Sequence, residues 1–144
     1  MPIKLIDASR VAPHLYQGAR PPYGHINKVY ALVLTAVEYQ PGADKFPGAM
    51  VMHCPMDDSG EPMTEDEKSI ALATGVRVAH LLRHRQNVLV TCHMGLNRSG
   101  LISSLALVAA YKMSPTEAIA KVRSARGNEA MSNPFFVKFL YDYA

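Results

Sequence analysis

Among side chains able to act as nucleophiles, the chain has only two thiols, Cys54 and Cys92. Cys92 opens the segment CHMGLNRS, in which five residues separate it from Arg98 and Ser99 follows directly. A thiolate attacks an electrophilic phosphorus well when a guanidinium grips the phosphoryl oxygens, because the planar fork binds two of them at once and keeps its charge at any working pH. A Cys and an Arg at this spacing mean little in isolation. Their surroundings supply the meaning. Residues 87–91 (NVLVT) read as a short buried strand, and the apolar residues 101–111 read as a buried helix. A loop running from such a strand into a helix can turn the amides of His93, Met94, Gly95, Leu96, Asn97 and Arg98 toward one anion, and the helix N-terminus reinforces them. Gly95 allows the dihedral angles that this turn demands. The same field favours the thiolate of Cys92, and Ser99 is placed to donate a hydrogen bond to the sulfur when it must leave. The side chains of His93 and Met94 read as pocket lining. Asn97 either braces neighbouring loops or serves a backbone conformation.

Attack on a phosphate ester also needs a proton donor for the departing oxygen. Asp57 and Asp58, in HCPMDDSGEP, lie just past a predicted strand, where the loops of parallel sheets gather around active sites. Shaping the turn or capping the next helix is the plainer use for such residues. The neighbouring nucleophile loop weighs toward chemistry.

Several elements must hold these groups in place. Residues 28–35 (KVYALVLT) and 49–54 (AMVMHC) have the short apolar, β-branched character of buried strands, and residues 14–17 suggest an edge strand. Thr64 and Glu67 form a capping box that opens a helix ending near residues 83–85. Ser114 and Glu117 repeat the box, and Asn133-Pro134 opens a last helix over residues 135–143. The expected fold is α/β: a central mixed sheet of four to five strands flanked by helices, with the phosphate-binding loop between a strand and a helix. Its strand order is not readable from the sequence. Arg123 and Arg126 read as basic residues at a helix end, and Arg20, Tyr23 and His25 as an exposed loop.

With 144 residues, 49% of them hydrophobic, the chain matches one ordinary domain over residues 1–144. A net charge of +3 without a basic run argues against a stable nucleic-acid complex. No apolar run is long enough to imply a membrane partner. Two cysteines make no disulfide scaffold, and residues 1–10 (MPIKLIDASR) lack the pattern of a secretory leader. A cytoplasmic monomer is the expectation. The six histidines show no zinc-ligand spacing.

The chain resembles the protein tyrosine phosphatase superfamily, in particular the small atypical dual-specificity phosphatases of bacteria and phages. HLYQGARP, PMDD, TCHMGLNRSG, SPTEAIAKVRSARG and SNPFFVKFL carry the likeness, in the family's order. The resemblance implies a phosphorylated protein or peptide as substrate, no cofactor or metal, and a cysteinyl-phosphate on Cys92. It implies Asp58, with Asp57 second, as the acid that later activates water. Thr91 stands where the family usually has His, so it would have to take over part of that residue's hydrogen bonding. Cys54 is most simply a buried strand-end thiol. Some relatives protect the nucleophile with a second thiol, which makes Cys54 a candidate redox partner.

Other phosphate chemistries remain open, on phosphoinositides or on RNA 5′-phosphates, although HMGLN has no Lys to meet extra phosphates. From other classes come a rhodanese-like sulfurtransferase, which gives no reason for an acid loop, and a non-catalytic phosphoresidue-binding module, which gives none for the Cys. The expected result is hydrolysis of para-nitrophenyl phosphate that Cys92→Ser abolishes and chelators leave intact. Sulfur transfer from thiosulfate would instead select the rhodanese-like reading.

Overall fold

Val88, Leu89, Val90 and Thr91 are buried without exception, as a strand covered on both faces requires. They occupy the middle of a five-stranded sheet. The computed structural model describes residues 7–144; residues 1–6, part of the stretch considered above for a leader, lie outside it. Along the chain run β1 (Ala8–Ala12), β2 (Leu15–Gly18), β3 (Ala31–Ala36), β4 (Met50–Met56), α1 (Glu65–Arg83), β5 (Val88–Thr91), α2 (Arg98–Tyr111), α3 (Pro115–Arg126) and α4 (Pro134–Tyr143). The sheet order is β1-β2-β5-β3-β4. Only the β1–β2 pair is antiparallel; β5 pairs in parallel with β2 and β3, and β3 with β4.

Four strands therefore point the same way, and the segments following Gly18, Ala36, Met56 and Thr91 leave from one edge of the sheet. The segments that carry Glu38, Asp58 and Cys92 start there. β2 is not the edge strand that residues 14–17 suggested, because β1 pairs outside it. With Ser9 and Arg10 at its centre, β1 lacks the apolar pattern of an interior strand, and polar residues are what an edge tolerates.

Apolar residues of all four helices join one face of the sheet in a single core, including Val33, Val90, Leu101, Leu105, Val122 and Phe136. The opposite face is covered by Ile26, Val29 and Phe46, from the irregular segments before β3 and β4. The helices thus lie to one side of the sheet. Thr64 and Ser114 each form a complete capping box, as their sequences require. The core helix α2 packs against α1 at Gly75, where an added Cβ would stand 2.7 Å from Cβ of Leu105.

That contact opposes helix propensity. Alanine would gain about 1 kcal/mol over glycine in a free helix, but a core intrusion at the root of a side chain costs about 1–3 kcal/mol. Gly75→Ala should therefore lower stability by about 1 kcal/mol net, read as a lower urea midpoint. A raised midpoint would mean that α1 can slide off α2 without loss.

Candidate active site

Every carbonyl of the loop from His93 to Asn97 is accounted for. His93 O accepts from Arg20 N (3.3 Å), Leu96 O from Met131 N (3.2 Å) and Asn97 O from Leu101 N (2.8 Å). Met94 O accepts from Arg126 Nη2 (3.0 Å), and Gly95 O from both Gln17 Nε2 and Arg126 Nε (3.0 Å each). None of the amides of these five residues donates to a protein acceptor among the described residues. A loop whose carbonyls are all drawn outward leaves its N–H groups for an anion. Gly95 makes the turn at φ +73°, and an added Cβ would sit 2.5 Å from Gly18 C and from Arg126 Nη2. Both the dihedral angle and the space select glycine.

The loop surrounds a cavity of about 250 Å³ lined by Asp58, Cys92, His93, Met94, Leu96, Asn97 and Arg98. Cys92 is 5% exposed, and its Sγ lies 3.1 Å from Ser99 Oγ. Its own amide donates to Gly18 O (3.2 Å), which continues the β2 pairing and fixes the point where the loop leaves the strand. A second groove, about 560 Å³ between α3 and α4, is lined by Arg123, Tyr141 and their neighbours and by none of these residues.

Arg98 is buried, and Glu38 holds it end-on: Nη1 to Oε1 at 2.7 Å and Nη2 to Oε2 at 2.9 Å. Nη1 also donates to Met56 O (3.0 Å). Nε is buried without a protein partner. The edge made by Nε–H and the second Nη2–H therefore remains as two parallel donors, the geometry that matches two oxygens of one phosphoryl group. Burial works against the charge of Arg98, and the hydrogen bond to Glu38 together with the negative charges of Glu38, Cys92 and Asp58 more than offsets it. In return, the Arg98 hydrogen bond holds the Glu38 carboxyl down to about 2.

Of the two acid candidates, only Asp58 lines the cavity. Its Oδ1 accepts from Asn133 Nδ2 at 2.8 Å. Asp57 does not border it, and its backbone amide donates to Glu67 Oε2 at 2.8 Å. Asn97 braces a neighbouring segment, its Oδ1 accepting from Ser132 N (2.8 Å) and Asn133 N (3.0 Å).

Three expectations need correction. Thr91 does not take over a histidine's bonds to the loop: its Oγ1 donates to Val33 O (2.9 Å), and its carbonyl accepts from Thr35 Oγ1 (2.7 Å), so both polar groups are committed to β3. Cys54 is not a neighbour of Cys92. Strand β3 lies between β4 and β5, which sets the two thiols about 9–10 Å apart at Cα, beyond disulfide reach. Burial raises the Cys54 thiol to about 11, partly countered by a hydrogen bond from Thr74 of α1, as befits an inert core thiol. Finally, Arg123 and Arg126 are not simply helix-end charges. Arg123 donates to Ala130 O and Met131 O, while Arg126 grips the loop and reaches Asp7 Oδ1 at 2.8 Å.

Gln17, Glu38, Arg126 and Asn133 were not singled out as site residues. Only Glu38 carried a usable signal: an acidic residue just past a buried strand, in the same topological position as Asp57 and Asp58. Among the described residues, no group of three His, Cys, Asp or Glu side chains is placed to hold a metal ion.

A parallel-edge α/β fold with a thiol at the base of an amide-lined anion pocket defines a cysteine-based phosphatase. The family pattern "Dual specificity phosphatase, catalytic domain" matches residues 24–144, and the chain belongs to that family. Human DUSP28 is similar at 26% identity and TM-score 0.76, over 94% of this chain and 91% of that one. A mouse putative dual specificity phosphatase, solved with zinc tungstate, is similar at 25% and 0.76, over 94% and 85%. PTPMT1, solved in complex with PI(5)P, shares the fold at 17% identity and TM-score 0.75, over 94% and 93%. Among curated proteins, none matches the chain.

Glu38 yields a pH prediction. Its carboxyl titrates near 4.5 when unfolded and near 2 when folded, so its stabilisation is complete above about pH 4.5 and fades as the pH falls toward 2. Because the side chain is 44% exposed, solvent screening limits the effect to about 1 kcal/mol. The stability gap between wild type and Glu38→Gln should stay constant from about pH 5 to 7 and close on acidification. A gap independent of pH would show that the pair contributes nothing through charge.

Proposed function

We propose that the chain hydrolyses phosphomonoesters on protein side chains in two steps at this pocket. The observation that carries the reading is the polarity of the nucleophile loop: five carbonyls bonded outward and five amides left for an anion around Cys92. In the first step the Cys92 sulfur forms a bond to phosphorus as the ester P–O bond breaks, and Asp58 delivers its proton to the departing oxygen. In the second step a water oxygen attacks phosphorus, its proton passes to Asp58, and the S–P bond breaks with its electrons returning to sulfur. Ser99, 3.1 Å from that sulfur, donates to it as it leaves. The free edge of Arg98 and the loop amides hold the phosphoryl oxygens through both transition states.

Position supports Asp58 over Asp57 as the acid, since only Asp58 borders the cavity. A phosphoinositide substrate is the second reading, prompted by the PTPMT1 complex. The absence of Lys from HMGLN weighs against a headgroup with several phosphates. The tungstate found with the mouse relative is a tetrahedral oxyanion of the shape this pocket would accept.

The test is a panel of phosphotyrosine, phosphoserine and phosphothreonine peptides beside a soluble phosphoinositide, with the phosphoenzyme trapped by acid quench. Peptides should turn over faster than the lipid headgroup, and label should reside on Cys92. Cys92→Ser should reduce turnover to background while still binding tungstate, and Asp58→Asn should slow it at least about 100-fold. Preferential turnover of the phosphoinositide would replace the protein-phosphatase reading, and label on any other residue would remove the mechanism.

A further inference from the structure

Asp58 lies on an exposed loop, yet it is not free to swing. Its Oδ1 accepts from Asn133 Nδ2 at 2.8 Å, and the amide of its neighbour Asp57 donates to Glu67 Oε2. Asn133 is itself buried, at 7% exposure. Its own Oδ1 caps α4 by accepting from Phe135 N at 2.9 Å. That backbone donor can meet only an oxygen, which fixes the amide's orientation and leaves Nδ2 as the group facing Asp58. Asn97, inside the nucleophile loop and next to Arg98, holds Asn133 in turn through the 3.0 Å bond from Asn133 N to Asn97 Oδ1. A second backbone donor, Ser132 N, fixes the Asn97 oxygen in the same way.

We infer that Asn133 is a positioning residue that ties the acid loop to the nucleophile loop and sets which oxygen of Asp58 carries the proton; this rests on the two-step reading above. An amide N–H on Oδ1 makes that oxygen an acceptor, so the acid's proton sits on Oδ2, the remaining oxygen of a carboxyl that borders the cavity. The bond runs through three segments far apart in sequence: Asn97, Asn133 and Asp58. It uses only groups of the chain itself, so making it requires no substrate, and Glu67 holds the adjacent peptide group of Asp57. Pre-setting of this kind removes part of the ordering that the transition state would otherwise require.

A positioning role has a signature that a loss of packing lacks. Protonation of the leaving group matters most when that group is a poor one, so damage to the acid's placement falls unevenly across substrates. Asn133→Ser keeps an oxygen to cap α4 but cannot reach Asp58. It should slow phenyl phosphate about 30–100-fold while slowing an activated ester such as difluoromethylumbelliferyl phosphate less than about 5-fold. Combining it with Asp58→Asn should add nothing to the loss from Asp58→Asn alone, because both act through one proton. Asn133→Asp serves as a second variant: it retains the cap acceptor and sets a carboxylate against Asp58, and it should show the same uneven loss. Binding of tungstate, which needs no acid, should be unchanged in both.

Equal losses on the two esters, or a loss additive with Asp58→Asn, would overturn the inference while leaving the phosphatase reading intact. Wild-type protein inert toward both esters, or activity surviving Cys92→Ser, would overturn the two-step reading and this inference with it. If Asn133→Ser melts at a lower temperature, the ratio of the two ester rates still decides, since the fraction folded divides out of it.

Discussion

The constraint on which the rest of the site depends is the direction of five peptide groups. Loop residues His93 to Asn97 can present their amides to an anion only if their carbonyls find donors on the far side. Those donors come from the ends of β2 and α3, from the first turn of α2 and from the segment before α4: Gln17, Arg20, Arg126, Leu101 and Met131. Outward bonding fixes the backbone and leaves the amides with no competing partner inside the protein. An anion arriving at Cys92 then meets donors that need no rearrangement, which is the source of electrostatic catalysis in a preorganised site.

Arg98 presents the complementary problem. A guanidinium buried in the protein needs an anion to justify its charge, yet an anion that took its whole fork would compete with substrate. Glu38 resolves this by geometry. It bonds the two terminal nitrogens end-on and leaves the edge through Nε without an acceptor. The carboxylate is held below its usual range by that contact, so it stays charged throughout the neutral range and the fork keeps one orientation. A Lys at position 98 could satisfy Glu38, but it has no second planar edge to offer.

Residues adjacent in sequence were legible without a structure, and residues adjacent only in space were not. The Cys92, Gly95, Arg98 and Ser99 arrangement is local. Strand, turn and helix are each encoded within a dozen residues, and the flanking apolar runs identify them. The capping boxes at Thr64 and Ser114 are equally local, and both formed. By contrast Gln17 lies 78 residues from Gly95, Glu38 lies 60 from Arg98 and Asn133 lies 75 from Asp58. Such pairings depend on strand order, which a single sequence does not encode in any local pattern. Cys54 is separated from Cys92 for the same reason. Ending a strand near the loop is not enough when β3 is inserted between β4 and β5.

Arg126 illustrates how a misread residue follows from sound local reasoning. A basic side chain in the last turn of a helix has a favourable interaction with the helix dipole whatever else it does, so the pattern alone never reports a further role. What distinguishes Arg126 is that its side chain is 7% exposed, because α3 ends against the outer wall of the nucleophile loop. There its donors meet Met94 O and Gly95 O on one side and Asp7 and Ser9 on the other. The charge that would interact weakly with a dipole at the surface instead has two backbone carbonyls and a carboxylate as neighbours. The loop's shape is thereby coupled to the packing of α3 and to strand β1, so the polarity that makes an anion pocket is a property of the whole sheet edge.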